Sequence, residues 1–425
     1  MISILRAKDV PLSDILCRDI RDEKNVDAQI DDIIRNVRER GDAALIEYAE
    51  RFDRARLDAL RVTQEEIDEA WDKTDEDFKT TLQMAHDNIA AFHSRQIARD
   101  FVITDQPGIV LGQRYTPIER AGVYVPGGTA SYPSTVLMDV IPAKLAGVSE
   151  IAMVTPPGPD GKIAPAILAA AKVAGVTSIF KIGGAGAVAA LAYGTQSVPK
   201  VDKIVGPGNI YVATAKRKVF GTVDIDMIAG PSEILVIADA DCNPAYVAAD
   251  LLSQAEHDRL ASAVLVTTSE KLAFAVSAEL ERQLALLPRE AIARASIEQN
   301  GKILLVNSLE EAAAISNAIA PEHLELSVED PFALLPAIRN AGSIFLGRHV
   351  PEALGDYFAG PNHTLPTSGT ARFSSPLGVD DFRKRSSFIY YSKDALGQVA
   401  DRIVDFAKRE GLDAHARSVS IRFDP

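Results

Sequence analysis

Short apolar segments alternate with Ala-rich segments through most of the chain, with a period near 25 residues. The apolar segments are strand-like and end in Gly or Pro, whereas the segments between them suit helices. The first strand-like series is "AGVYVPGG" (121–128), "EIAMVTPP" (150–157), "SIFKIGG" (178–184) and "DKIVGPGN" (202–209). The second series is "EILVIAD" (233–239), "AVLVTT" (263–268), "KILLVNS" (302–308) and "GSIFLG" (342–347). This alternation is typical of parallel sheets covered by helices.

The two series predict an α/β protein with two Rossmann-like, doubly wound parallel-sheet domains, a helical N-terminal segment and a small C-terminal arm. Ligands of such sheets bind beyond the carboxyl ends of the strands, and we expect the site there. The expected domains are an N-terminal segment (1–25), a first α/β domain in which a helical part (26–120) packs with 233–375, a second α/β domain (121–232) associated with a nucleotide, and a C-terminal helical arm (376–425).

Composition excludes several classes of function. A chain of 425 residues is too long for one core, and its net charge of −14 argues against nucleic acid or an anionic membrane as partner. No apolar stretch is long enough to span a bilayer, and no signal peptide begins the chain, so we expect a cytoplasmic protein. The two cysteines, Cys17 and Cys242, exclude a disulfide scaffold and a Cys-rich zinc site, and we expect them to be buried or incidental.

The segment "LLSQAEHD" (251–258) ends an amphipathic helix with a group of polar side chains. Gln254 and His257 are three residues apart and therefore share one helix face. Two interpretations are open: a solvated helix end, or a set of ligands directed at a bound group.

Two glycine-containing segments suggest a nucleotide, but weakly. Gly184, Gly186 and Ala189 fit a relaxed G-x-G-x-x-A pattern, and Asp202 follows at a distance of 18 residues from Gly184. Close packing of a helix on a sheet explains the same small residues equally well. The turn "GPGN" (206–209) could direct backbone N–H groups at a phosphate or ribose.

Imidazole and carboxylate side chains supply the remaining candidates. Glu322 and His323 in "APEHLEL" are adjacent, so they could divide proton transfers between them, although a polar turn before a strand is also possible. Nitrogen and oxygen donors that suit Zn, Mn or Fe are offered by Gln254, His257, Asp356, His363 and His415. Their spacing alone does not assemble a site. The residues thus indicate an α/β enzyme and leave open a nucleotide and a metal.

Taken together, the polar segments resemble the histidinol dehydrogenase family. They occur in the family's order and extend from about Gln113 to the C-terminus. The matching segments are "GVYVPGGTASYPS", "KVDKIVGPGN", "IDMIAGPSE", "DLLSQAEHD", "APEHLE", "GDYFAGPNHTLPT" and "EGLDAHARSV".

The resemblance implies oxidation of L-histidinol to L-histidine through the aldehyde, with one zinc ion per subunit and two NAD per turnover. It assigns proton transfer to His323 and activation of water to Glu322. The implied zinc ligands are Gln254, His257, Asp356 and His415. The implied substrate contacts are Ser232, Glu410, His323 and the four zinc ligands, and the implied cofactor contacts are Tyr124, Gly186 and Asn209.

One position departs from the family. The family usually has Gln where this chain has Gly186, so the resemblance implies a weakened contact with NAD there, and it makes the apparent dinucleotide pattern an accident of that change. The family also implies a homodimer, in which Glu410 and His415 complete the site of the partner subunit. His363 receives no role.

Three other functions compete with this one. A family paralogue could oxidise another amino or sulfonated alcohol, but Ser232 and Glu410 beside the full metal set favour histidinol. A zinc hydrolase would need an open metal position for water, and four protein ligands leave little room for it. A non-catalytic nucleotide-binding protein would leave the Glu322–His323 pair and the metal set without a purpose.

Overall fold

The computed structural model describes residues 2–11, 15, 23–127 and 131–424. The chain divides into two compact units, Met1–Gln96 with Ile118–Phe382 and Ile97–Pro117 with Arg383–Pro425. Cys17 lies outside the described residues. Among the described helices, none combines the length and apolar character that crossing a membrane requires.

The first unit contains two sheets whose paired strands are all parallel. The six-stranded sheet has the order β1-β11-β10-β9-β12-β13, formed by β1 (Ser3–Arg6), β9 (Glu233–Ala238), β10 (Ser262–Thr267), β11 (Lys302–Leu305), β12 (His323–Ser327) and β13 (Ser343–Leu346). The five-stranded sheet has the order β6-β5-β4-β7-β8, formed by β4 (Arg120–Tyr124), β5 (Glu150–Thr155), β6 (Ser178–Lys181), β7 (Lys203–Val205) and β8 (Asp224–Ile225). The predicted α/β class with two parallel sheets is confirmed.

Helices cover both sheets. Those packed with the five-stranded sheet are α1 (Glu23–Arg40), α2 (Asp42–Tyr48), α3 (Gln64–Lys73), α4 (Glu76–His93), α5 (Pro133–Ala146), α6 (Pro165–Ala174), α7 (Gly184–Tyr193) and α8 (Ile210–Val219). Those that follow the strands of the six-stranded sheet are α9 (Pro244–Ala255), α10 (Glu270–Leu284), α11 (Glu290–Gln299), α12 (Leu309–Ile319), α13 (Pro331–Leu334) and α14 (Glu352–Tyr357).

The expected packing of the helical part 26–120 against 233–375 is corrected. The buried side chains of α1 to α4 belong to the same apolar clusters as those of the five-stranded sheet. Ile30 of α1, for example, is fully buried in one cluster with Val188 of α7. The amphipathic pattern of these helices identifies their buried face but not the sheet that covers it. The domain boundaries themselves stay a prediction.

The second unit is small and built on an antiparallel sheet of order β14-β3-β2. Its strands and helices are β2 (Phe101–Ile103), β3 (Ile109–Pro117), β14 (Arg383–Tyr391), α15 (Lys393–Arg409) and α16 (Asp413–Ser420). Residues 101–103 and 109–117 are therefore strands and do not belong to the helical part as expected. The predicted helix near 393–410 is confirmed as α15.

Candidate active site

The first unit contains a cavity of about 510 Å³ that reaches both sheets. Tyr124 at the carboxyl end of β4 lines it, and so does Asn209, which follows β7. From the six-stranded sheet, however, the lining residues Ser232 and His323 stand at the amino ends of β9 and β12. The expected position beyond the carboxyl ends is thus right for one sheet and wrong for the other, because the polar segments "GPSE" and "APEH" precede their strands.

Eight residues that the family resemblance implies line this one cavity. They are Tyr124, Asn209, Ser232, Gln254, His257, Glu322, His323 and Asp356. They come from positions up to 232 residues apart in the sequence, which no spacing rule connects. Its volume lies in the range of small-molecule and cofactor sites.

Glu322 and His323 are held by the backbone of a single residue, Glu233 of β9. The Glu233 N–H donates to Glu322 Oε2 at 2.8 Å, and the Glu233 carbonyl oxygen accepts from His323 Nδ1 at 3.0 Å. A carbonyl oxygen can only accept, so the proton of a neutral His323 ring resides on Nδ1. The lone pair of Nε2 is then available as a base, and this atom has no hydrogen-bond partner among the described residues. Glu322 stands in a bend directly before β12, as the alternative of a polar turn before a strand requires, but both side chains are buried.

Opposite charges and burial shift both members of this pair. Burial raises the pKa of Glu322 to about 8, against the lowering influence of His323. Burial lowers the pKa of His323, but the negative charges of Glu322 and of Asp356, whose Oδ1 lies 3.6 Å from Nε2, outweigh it and raise this pKa above its usual value. The surrounding carboxylates therefore stabilise the protonated form of His323, which is the form it reaches after Nε2 accepts a proton.

Gln254, in the last turn of α9, is not exposed to solvent as a solvated helix end would be. This side chain is only 1% exposed, and Leu251, Leu252 and Ala255 beside it in α9 are buried as well. Neither amide atom of Gln254 has a hydrogen-bond partner within the described ranges. His257, two residues past the end of α9, is exposed and lines the cavity. A helix C-terminus favours a cation, and a buried amide without a partner is costly unless a ligand satisfies it.

Asp356 lies in α14, within the long Gly- and Pro-rich connection that follows β13. Its Oδ1 is 3.6 Å from His323 Nε2. Although burial opposes it, the neighbouring His323 ring lowers the pKa of Asp356. His363 Nδ1 lies 3.0 Å from the Asp356 carbonyl oxygen, and its Nε2 lies 3.3 Å from Thr135 Oγ1 in α5. His363, given no role by the sequence, thus links this connection to the other sheet.

Sequence reasoning missed Glu352, which is 3% exposed and begins α14. His323, Glu352 and Asp356 place donor atoms within 4.8 Å of one another. The signal was present in the sequence, because an acid four residues before Asp356 shares its helix face.

The side of the cavity next to the five-stranded sheet is built on backbone turns. Tyr124 is buried and its hydroxyl accepts the N–H of Gly184 at 3.0 Å, while burial raises the pKa of Tyr124 to about 12. Asn209 caps α8, its Oδ1 accepting from Tyr211 and Val212. Gly206 has φ +114°, and a Cβ there would lie 2.1 Å from the Tyr124 carbonyl oxygen, so glycine is required. Its N–H donates to Asp226, so this N–H of "GPGN" is already used inside the protein.

Gly186 does not line the cavity. A Cβ at this buried position of α7 would lie 3.3 Å from Tyr48 Cδ2 and 3.4 Å from Leu45 Cδ2. Asp202 accepts the backbone N–H groups of Glu119 and Arg120, at the amino end of β4. The small residues of this segment therefore serve close helix packing, and the contact of Gly186 with a cofactor stays a prediction that this packing does not support.

The remaining predicted residues lie elsewhere. Glu410 is the C-cap of α15 and His415 lies in α16, both exposed in the second unit. Cys242 is 6% exposed and its Sγ donates to the Ser327 carbonyl oxygen at 2.6 Å. Burial raises the pKa of the Cys242 thiol to about 11, and the expectation that Cys242 is buried is confirmed.

Comparison with known proteins shows one consistent similarity. A sequence model of the family described as histidinol dehydrogenase matches residues 16–423. A histidinol dehydrogenase of Syntrophotalea carbinolica is 59% identical over 413 residues, covering 97% of this chain and 96% of its own. One of Listeria monocytogenes is 57% identical over 399 residues, covering 94% and 93%. The crystal structure of histidinol dehydrogenase from Elizabethkingia anophelis superposes with a TM-score of 0.94 at 39% identity, covering 99% of this chain and 98% of that one.

Proposed function

The chain belongs to the histidinol dehydrogenase family, oxidoreductases of histidine biosynthesis, and from this premise we propose that it oxidises L-histidinol to L-histidine with a bound zinc ion and NAD. The reaction removes four electrons in two steps. The alcohol first becomes the aldehyde, and the aldehyde with one water then becomes the acid. Each step passes one hydride to one NAD.

Gln254 is the observation that supports this proposal most strongly. A fully buried amide with both polar atoms lacking a partner in the described structure fits a metal ligand better than any packing role. His257 and Asp356 line the same cavity and add an imidazole nitrogen and a carboxylate oxygen. This donor set without sulfur fits zinc. Gln254, His257, Asp356 and His415 would hold it.

Zinc, when bound, would orient the amine and imidazole nitrogens of the substrate, and NAD, when bound, would accept hydride. His323 would take the hydroxyl proton through Nε2, which its Nδ1 bond to Glu233 leaves free. Glu322 would remove a proton from the water that adds to the aldehyde, and His323 would take the second hydroxyl proton. Ser232 would contact the substrate.

Tyr124 and Asn209 would contact the cofactor. Both line the cavity on the side of the five-stranded sheet, opposite Glu322 and His323. A nicotinamide between the two groups of residues could meet the reacting carbon. The volume of about 510 Å³ suits a substrate with part of a dinucleotide.

We further propose a homodimer with two shared sites, each taking Glu410 and His415 from the partner subunit. The small second unit supports this, because a unit of this size buries little apolar surface alone. Its large apolar side chains that remain exposed are Ile97, Phe101, Val102, Ile103, Phe388, Ile389, Tyr390, Tyr391, Ile403, Phe406, Leu412, Ile421 and Phe423. Such a concentration marks a surface that another protein covers.

Counting product tests the proposal. L-histidinol should yield two NADH per molecule, and it should be preferred over other amino alcohols by kcat/KM. Chelation should abolish turnover, and zinc should restore it. One NADH per substrate, a preferred substrate of another kind, or full activity in metal-free protein would each contradict it.

A further inference from the structure

Glu352 is a buried carboxylate that the proposed chemistry does not use. It is 3% exposed, its Oε1 has no hydrogen-bond partner among the described residues, and this atom lies 3.8 Å from His323 Nε2. Its Oε2 lies 2.9 Å from Ser253 Oγ, whose one proton is shared between this carboxylate and the Asp250 carbonyl oxygen 2.8 Å away. Burying an acid beside other acids is unfavourable, so its position needs a reason.

The Ser253–Glu352 bond joins the two elements that bear the expected metal ligands of the first unit. Ser253 directly precedes Gln254 in the last turn of α9. Glu352 stands one helical turn before Asp356 in α14. The bond therefore links the turn of α9 that carries Gln254 to the helix α14 that carries Asp356.

α14 depends on such tethers. It has only six residues and no side-chain N-cap, so it is too short to be stable by itself. The backbone N–H of Glu352 donates to Glu325 Oε1 of β12 at 3.0 Å. Glu352 thus fixes the start of α14 to β12 through its backbone and to α9 through its side chain.

We propose that Glu352 is a positioning residue, which through Ser253 holds Asp356 at the separation from Gln254 and His257 that one divalent cation requires. Ligand distances to zinc are about 2.0–2.2 Å, so a shift of α14 by a fraction of that length would weaken binding. The inference rests on the proposed function only in placing the cation at these three residues.

Metal release from the zinc-loaded protein tests the inference without substrate or NAD. Zinc would be captured by a chromophoric chelator and its release rate measured for Ser253→Ala, Glu352→Ala, Glu352→Gln and the double variant Ser253→Ala/Glu352→Ala. Both single alanine variants should release zinc about 10–100-fold faster, as substitutions behind metal ligands usually do. The double variant should be no faster than the worse single one, because both changes break one bond. Glu352→Gln keeps an oxygen for Ser253 and should stay within a few-fold of wild type.

Two controls separate positioning from general damage. Glu311 accepts hydrogen bonds from Asn307 at the start of α12, so Glu311→Ala removes a comparable acid elsewhere and should leave zinc release unchanged. Urea midpoints identify any variant that is poorly folded. Ser253→Ala is the mildest change and suffices for the test if Glu352→Ala does not fold.

Three results would overturn the inference. Wild-type release rates in the Ser253→Ala variant would mean that the bond positions nothing. Fast release in Glu352→Gln with wild-type release in Ser253→Ala would make Glu352 a direct ligand. Equal acceleration in Glu311→Ala would show a general loss of stability. Wild-type protein that retains no zinc would instead refute the proposed metal site itself.

Discussion

At the scale of single residues, Glu322 and His323 are neighbours in sequence with different surroundings. Glu322 accepts a backbone N–H, whereas His323 donates to a backbone carbonyl and presents Nε2 to carboxylates. This difference supports separate roles, one residue for the water and one for the substrate hydroxyl.

Substitution of each member should separate the two half-reactions. Glu322→Gln should impair oxidation of the aldehyde much more than oxidation of the alcohol, because only the aldehyde step needs activated water. His323→Asn should slow both by ~10²–10⁴-fold, the usual contribution of a general base. Stopped-flow NADH formation from histidinol and from the aldehyde measures both, with zinc content checked in each variant. Equal, small losses in both steps would disprove the assignment.

Gly186 provides a second prediction at this scale. Its missing side chain leaves room that Tyr48 and Leu45 fill. Gly186→Gln should therefore lower the free energy of unfolding by about 1–3 kcal/mol through overpacking, and it should not lower the Michaelis constant for NAD. Gly186→Ala is the matched control with the smaller change. Tighter NAD binding without loss of stability would restore the cofactor contact that the family resemblance implies.

At the scale of elements, α5 and the connection after β13 meet at a buried carboxyl group. Asp139 of α5 is fully buried, and Thr364 Oγ1 donates to its Oδ1 at 2.8 Å. Burial raises the pKa of Asp139 to about 8, Asp226 raises it further, and Thr364 and Lys216 oppose the shift. Burial of Asp139 therefore costs least when its carboxyl group is protonated, although the Thr364 hydrogen bond favours the ionised form.

The contribution of Asp139 to the free energy of unfolding should fall as pH rises. The folded pKa lies above the unfolded one, so the folded state binds the proton more tightly, and the stabilisation is complete below about pH 4 and lost as pH approaches 8. The unfolding free energy of wild type should fall relative to that of Asp139→Asn by up to about 1.4 kcal/mol per pH unit in this range. Urea titrations at pH 6, 7, 8 and 9 give the difference. A difference independent of pH would show that Asp139 is ionised throughout.

Local pattern predicted most elements of the first unit because its strands are apolar over their whole length. All six residues of β9 and of β10 are buried, which is why they stand out in the sequence. β14 reads "RKRSSFIYY" and is exposed almost throughout, and it exists through its antiparallel pairing with the distant β3. Such pairing has no local signal, and the sequence analysis therefore missed it.

The candidate site likewise contains residues that could be predicted from the sequence and one that could not. Side chains with unusual chemistry, such as His323 and Gln254, could be selected from sequence, and the family resemblance grouped them. Glu352 was missed because an acid near a helix start is ordinarily a solvated, dipole-compensating residue. Glu352 is buried because α9 and β12, which are distant in sequence, pack against the start of α14.

At the scale of the whole molecule, the expected site draws on both compact units. Gln254, His257 and Asp356 belong to the first, and Glu410 and His415 to the second. If the second unit serves the partner subunit, inactive variants of the two kinds should complement each other. Asp356→Ala and His415→Ala homodimers should both be inactive.

A mixed dimer of these variants should regain one intact site, since one site loses both residues and the other loses neither. Random exchange of subunits should restore about a quarter of wild-type activity. Exchange would be verified with differently tagged chains. No recovery in verified mixed dimers would mean that each tail serves its own chain.

The hold of Glu233 on both Glu322 and His323 has a consequence for mutational surveys. It acts through main-chain N–H and C=O groups, which every residue except proline provides. An alanine scan removes side chains and keeps the main chain. It would therefore not detect these two main-chain hydrogen bonds, whatever effect it measured for Glu233→Ala. Substitution of Glu233 by any residue other than proline would leave the orientation of Glu322 and His323 intact. Only a change in the main-chain path at position 233 would remove these two hydrogen bonds.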